Sequence, residues 1–206
     1  MKFTRVILAS GSPRRREILA GLGVPFTVMT ADADEHSDLT DPGQLVRALA
    51  ARKAEAVRDR LADAGEMTDG VLILAADTVV ACEGEILGKP RDLADAERML
   101  RMLSGNVHCV YSGICVLANA GEATESVCTR VTFSPIPERE LQAYLAGTEP
   151  YDKAGAYAIQ GGAALWISGI EGCYYNVVGL PVNRLNALLR ESFGCSLADL
   201  RACREE

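Results

Sequence analysis

The stretch from Val71 to Leu87, VLILAADTVVACEGEIL, decides the fold. Residues 71–76 form an unbroken apolar run, the pattern of a strand covered on both faces, and so of a sheet flanked by helices. The run gives way at Asp77, where the strand is expected to end. VVACEGEIL then reads as a hairpin turning at Glu83–Gly84. In open α/β sheets, ligands gather beyond the carboxyl ends of strands. That makes Asp77, between Ala76 and Thr78, the sharpest single residue of the chain. An aspartate that merely caps a turn is a reading of equal weight.

Working outward, apolar runs alternate with helical patterns, as in an α/β sheet. Towards the N-terminus, residues 5–9 read as a first strand, a helix starts at Pro13, and residues 26–29 read as a second strand. An acidic loop, TADADEHSDLTDPG, precedes residues 44–65, whose alanine and leucine content and period predict a long helix. Towards the C-terminus, residues 92–105 read as a helix with a glycine stop. VHCVYSGICVLA and ATESVCTRVTFSPI read as two long antiparallel strands. A helix starts at Pro137 and ends near Gly147, a glycine-rich segment with short strands follows, and a last helix starts at Pro181. With no repeat, low-complexity tract or linker, the reading is one α/β domain over residues 1–206.

A hydrophobic fraction of 49% in 206 residues suffices for a sizeable core. The net charge of −7 argues against a nucleic-acid partner or an anionic membrane surface, so any anion site is a local basic pocket. The N-terminal apolar stretch VILA is too short for a signal peptide, and no run approaches a membrane span. Seven scattered cysteines, without a CxxC pair or zinc spacing, fit free thiols in a reducing compartment, which predicts a cytoplasmic protein.

LASGSPRRREIL, residues 8–19, supplies the basic pocket. Ser12 is a natural N-cap and Pro13 a natural first helical residue. Arg14, Arg15 and Arg16 then fall in the first turn, where the helix dipole opposes each cation by about 0.3–1 kcal/mol. An anion between them reverses that cost, and the backbone amides around Ser10, Gly11 and Ser12 form a phosphate cradle. The competing reading is a solvated basic face. GxxxxGK[ST] and GxGxxG are both absent. Asp34 and Glu35 lie in a loop after a strand and can converge with Asp77, as hard oxygens suited to Mg²⁺ or Mn²⁺. Taken alone, a solvated acidic loop is the stronger reading for them. Lys89 in GKPRD and Lys153 in YDKAG sit in turns, where lysines mostly serve solubility. His108 reads as a structural histidine and His36 as solvent-facing, so covalent catalysis of the Ser–His–Asp or Cys–His kind is not indicated.

In this order, LASGSPRRREIL, Asp34–Glu35, ARKAEAV with Lys53, AADTVV, GKPRD, MLSGNVHCVYSGICV, YDKAGAYAIQGG and YYNVVGLP resemble the Maf family of nucleoside triphosphate pyrophosphatases. The resemblance covers nearly the whole chain. It implies an inosine-triphosphatase-like fold, with an elongated mixed sheet flanked by helices and two lobes about a cleft. It also implies hydrolysis of a nucleoside triphosphate to the monophosphate and pyrophosphate with a divalent metal, and a homodimer. Asp77 matches the family's proton acceptor, and Arg14, Thr78 and Gln160 match positions tied to substrate choice. DKAGAYAIQG resembles the subgroup acting on dTTP and UTP, with Ala158 where that subgroup usually has glycine. On this basis Ser10, Arg14, Arg15, Lys53, Lys89 and Lys153 are expected to bind phosphates, and Asp77 and Glu35 the Mg²⁺ or Mn²⁺. The alternatives are the same reaction on 7-methyl-GTP or a modified pyrimidine, a nucleotidyltransferase, and a nucleotide-binding regulator of septum formation.

Overall fold

A computed structural model describes residues 3–203. The first strand, β1 (Arg5–Leu8), lies parallel to β2 (Thr27–Val28) on one side and β3 (Val71–Cys82) on the other. Between them come α1 (Pro13–Gly21) and α2 (Pro42–Asp63). The chain continues through β4 (Glu85–Leu87), α3 (Leu93–Leu103), β5 (Val107–Ala118), β6 (Gly121–Phe133) and α4 (Glu138–Leu145). Three 3-10 turns follow, Glu149–Asp152, Ala154–Ala156 and Gly162–Trp166, and then β7 (Ile167–Glu171), α5 (Tyr174–Val178), α6 (Val182–Phe193) and α7 (Leu197–Leu200). The mixed sheet has seven strands in the order β2-β1-β3-β5-β6-β7, with β4 paired to β3. The fold is mixed α/β, as expected.

The expected end of the strand at Asp77 is corrected. β3 runs on to Cys82, so Asp77 and Thr78 lie inside a strand. A ladder is held by backbone groups, and the far end of the strand pairs with β4, Val80 opposite Leu87 and Cys82 opposite Glu85. The hairpin does turn at Glu83–Gly84, both at positive φ (51° and 82°), the conformation that matches the twist of the paired strands.

The chain divides into two compact units, one of Met1–Asp77, Ser112–Val127 and Gly179–Glu206, the other of Thr78–Tyr111 and Cys128–Val178. In the first, alternate residues Val71, Ile73 and Ala75 of β3 meet Ala50, Ala54, Val57 and Leu61 of α2 in one cluster with Ile7, Cys115 and Leu117. The helix begins two residues earlier than expected, because Asp41 caps the Gln44 amide at 2.7 Å and Pro42 fills the first turn. In the second unit, Leu87, Met99, Leu100, Leu103, Phe133 and Trp166 are among the residues of the core.

The glycine-rich segment departs from expectation, with 3-10 turns, one strand and the short helix α5 instead of several short strands. Gly155 and Ala156 sit at φ 69° and 61°, which breaks extended pairing there. Pro137 and Pro181 are N-caps, and their helices begin one residue later.

His108 is structural, as read from the sequence. It is 1% exposed, its Nε2 lies 2.7 Å from the Tyr157 hydroxyl, and its ring meets Phe133 edge-on. Among the described residues Nδ1 has no partner, and burial lowers the pKa from 6.5 to about 4. Between these values the unfolded chain takes up a proton that the folded chain refuses. Stability contributed by neutral His108 is therefore present above pH 6.5 and lost as pH falls towards 4, by up to about 3 kcal/mol. His108→Gln is expected to flatten the fall in melting temperature between pH 7 and 4.5. An unchanged slope in thermal melts contradicts the assignment.

Candidate active site

The corner between β1 and α1 is built by Ser10 and Arg15. Ser12 has N-cap geometry but makes no side-chain cap; its amide instead donates to Ser10 Oγ at 3.3 Å. Arg15 is buried and donates from Nε to the Gly179 carbonyl (2.8 Å) and from a terminal nitrogen to Ser10 Oγ (3.0 Å). Ser10 Oγ thus accepts two bonds and keeps its own proton to give. The three arginines take different roles. Arg15 ties the corner together, Arg16 is exposed, and half-buried Arg14 forms no hydrogen bond or ion pair with another described residue. Burial lowers the Arg15 pKa, opposed by the charge of Asp77 and, more weakly, Glu35, while Arg14 lowers it further. The guanidinium thus feels both carboxylates.

Asp77 continues the alternate row of Val71, Ile73 and Ala75 and so faces α2, where Lys53 meets it. Lys53 Nζ lies 2.6 Å from Asp77 Oδ1 and 2.8 Å from Glu35 Oε1. The Lys53 and Asp77 side chains are 20% and 14% exposed, whereas Glu35 is 67% exposed. The pair with Asp77 is therefore the stronger, because water screens the one with Glu35. Arg52, next along α2, holds the loop by donating to the Asp34 carbonyl (3.1 Å) and the His36 carbonyl (2.7 Å). The Asp34 carboxylate accepts from the His36 amide at 2.9 Å, so of the acidic pair only Glu35 is shown reaching Lys53.

In the second unit, Thr78 follows Asp77 along β3, and exposed Lys89 lies beyond β4. The neighbouring Gly88 carbonyl accepts from the Gly155 amide (3.0 Å), tying GKP to DKAG. A Cβ on Gly155 would meet Val80 at 2.9 Å, so the site needs glycine for contact as well as for φ. Lys153 is 16% exposed, pairs with Asp152 and reaches the Glu149 carbonyl at 3.5 Å. Gln160 is exposed, while Ala158 is buried and its carbonyl accepts from the Gly161 amide at 3.1 Å.

The profile of the family described as Maf-like protein matches residues 5–192. This chain belongs to the Maf family. Relatives named dTTP/UTP pyrophosphatase include that of Pelotomaculum thermopropionicum, 47% identical over 90% of this chain and 95% of its own. That of Moorella thermoacetica is 48% identical over 91% and 94%. That of Bacillus thuringiensis subsp. konkukian is 43% identical over 91% and 95%. Among solved structures, the Ham1 protein of Staphylococcus aureus is similar with TM-score 0.45 and 12% identity, over 63% of this chain and 71% of its own.

In this Maf chain, two hard carboxylates converge on one point now bridged by Lys53. Among the described residues no cluster of three or more His, Cys, Asp or Glu could hold a metal ion. The Asp77 and Glu35 carboxylates are hard oxygen donors of the kind that would suit Mg²⁺ or Mn²⁺, and two of them are too few for a closed protein cage. Arg52 was missed by the sequence reading, although it adjoins Lys53 in ARKAEAV. Among the described residues no helix is long and apolar enough to cross a membrane.

Proposed function

We propose that the chain is a cytoplasmic nucleoside triphosphate pyrophosphatase that hydrolyses dTTP and UTP to the monophosphate and pyrophosphate. The observation that carries this reading is the 43–48% identity to relatives of that name over about nine-tenths of the chain. In this reading Asp77 accepts the proton of a water directed at the α-phosphorus, and pyrophosphate leaves in line. Ser10, Arg14 and the amides at the start of α1 hold phosphate oxygens, with Arg15 orienting Ser10 and adding its charge. Lys53 exchanges its carboxylate partners for phosphate. Lys89 and Lys153 add charge to the polyphosphate, and Thr78 and Gln160, with Arg14, select the base. Asp77 and Glu35 hold Mg²⁺ or Mn²⁺, which when bound neutralises phosphate charge and acidifies water. Free thiols at all seven cysteines suit a reducing cytoplasm. A homodimer is the assembly proposed on family grounds.

The test is a panel of nucleoside triphosphates, including 7-methyl-GTP, with Mg²⁺ or Mn²⁺ and no second substrate, scoring monophosphate and pyrophosphate. dTTP and UTP are expected to be turned over fastest. A preference for 7-methyl-GTP overturns the substrate assignment. Release of pyrophosphate only when an acceptor is added overturns hydrolysis in favour of nucleotidyl transfer.

A further inference from the structure

Gln160 rests on a short loop that one carboxylate ties to α4 just beyond it. Glu149 Oε1 accepts from the Tyr144 hydroxyl at 2.7 Å, and Oε2 accepts from the Gly162 amide at 3.1 Å. The loop is therefore pinned just beyond Gln160, at Gly162, through Glu149 to Tyr144. Burial, and then the bond to Glu149, raise the Tyr144 pKa, which keeps its hydroxyl a donor.

The two glycines after Gln160 belong to the same device. Gly161 has extended backbone (φ −117°), so conformation does not demand glycine there. Contact does, since a Cβ would lie 2.1 Å from Glu149 Oε1 and 2.3 Å from Oε2. At Gly162 a Cβ would come within 3.3 Å of the Tyr144 ring. The loop backbone lies bare against the Tyr144–Glu149 pair.

We infer that Glu149 is a positioning residue for base selection: it sets the place of Gln160 without itself touching the nucleotide. This rests on the proposed role of Gln160 in choosing the base. A carboxylate with both oxygens bonded to groups on two sides fixes a loop to within the tolerance of a hydrogen bond, which is the tolerance base recognition needs.

The experiment compares kcat/KM for dTTP with that for CTP and GTP, which share the triphosphate and differ in the base. Glu149→Ala is expected to lower the preference for dTTP at least tenfold through a higher KM, with kcat changed less than about threefold. Glu149→Gln, whose amide oxygen still accepts a hydrogen bond, recovers much of that preference. Gly161→Ala reproduces the loss, because the methyl displaces the end of a flexible side chain. Adding Glu149→Ala to it costs nothing further, since the group it displaces is gone. If Glu149→Ala keeps the preference within twofold and lowers only the melting temperature, Glu149 is structural and the inference fails. A Gln160→Ala control that leaves the preference intact overturns the role of Gln160 itself, separately from Glu149.

Discussion

Asp77→Asn is expected to hydrolyse dTTP at least ~10³-fold more slowly than the wild type while melting within a few degrees of it. A positioned general base contributes roughly 10²–10⁴-fold, and an amide cannot accept the proton. The same change weakens the hold on a divalent ion, because a carboxylate oxygen becomes a neutral one. The fold survives for a local reason. Asn keeps a carbonyl oxygen for the 2.6 Å bond from Lys53, and the ammonium retains Glu35 at 2.8 Å, so no partly buried charge is stranded. Turnover within tenfold of wild type, measured as pyrophosphate release, removes Asp77 from the role of base.

Gly113→Ala is the substitution with the largest expected effect on stability. A Cβ at Gly113 on β5 would lie 2.1 Å from the Val46 carbonyl oxygen, 2.3 Å from its carbon and 2.7 Å from the Arg47 amide nitrogen. All three are backbone atoms of α2, so no side chain can swing aside, and the helix or the strand must move. Overpacking a core costs about 1–3 kcal/mol where side chains can yield, and this site belongs at or above the top of that range. The melting temperature should fall by about 6–12 °C. Lys53 lies seven residues beyond Val46 on the same face of α2, so a displaced helix also carries the ammonium away from Asp77. Gly21→Ala is the control, since a Cβ there meets nothing within 4 Å and it should leave stability nearly unchanged. A Gly113→Ala protein that melts with the wild type refutes the close approach of α2 to β5.

The strand at residues 71–76 was legible because an apolar run bounded by polar residues has few other uses. Its continuation through Asp77 was not, because side-chain polarity carries no information about whether backbone groups find partners farther on. The hairpin at Glu83–Gly84 could be read locally, since it depends on a few adjacent residues; the cap at Asp41, equally local, went unread and the helix was expected two residues too late. The 3-10 turns could not be read locally, because the conformation of Gly155 is set by its contact with Val80, about 75 positions away in the chain.

At the site, the arginine run pointed to a basic corner, but not to the division of labour that sends Arg15 inward to Ser10 and Gly179. The meeting of Lys53 with Asp77 had one sequence signal that went unused. Lys53 interrupts the inward row of Ala50, Ala54 and Val57, where a cation needs a partner across the core. Glu149 had no such signal, because its importance lies in the glycines it faces.

Because β3 shows every second side chain to α2, its length is under a constraint that substitutions do not feel. Losing one codon within 71–76 would turn Asp77 away from Lys53 and bring Thr78 round in its place, with no change to either residue. Gaining one does comparable harm. The acidic loop that carries Glu35 has no ladder to keep in step and can absorb a change in length away from the two carbonyls that Arg52 holds. In this molecule, variation by insertion and deletion is open to the loop that brings the second carboxylate and closed to the strand that brings the first.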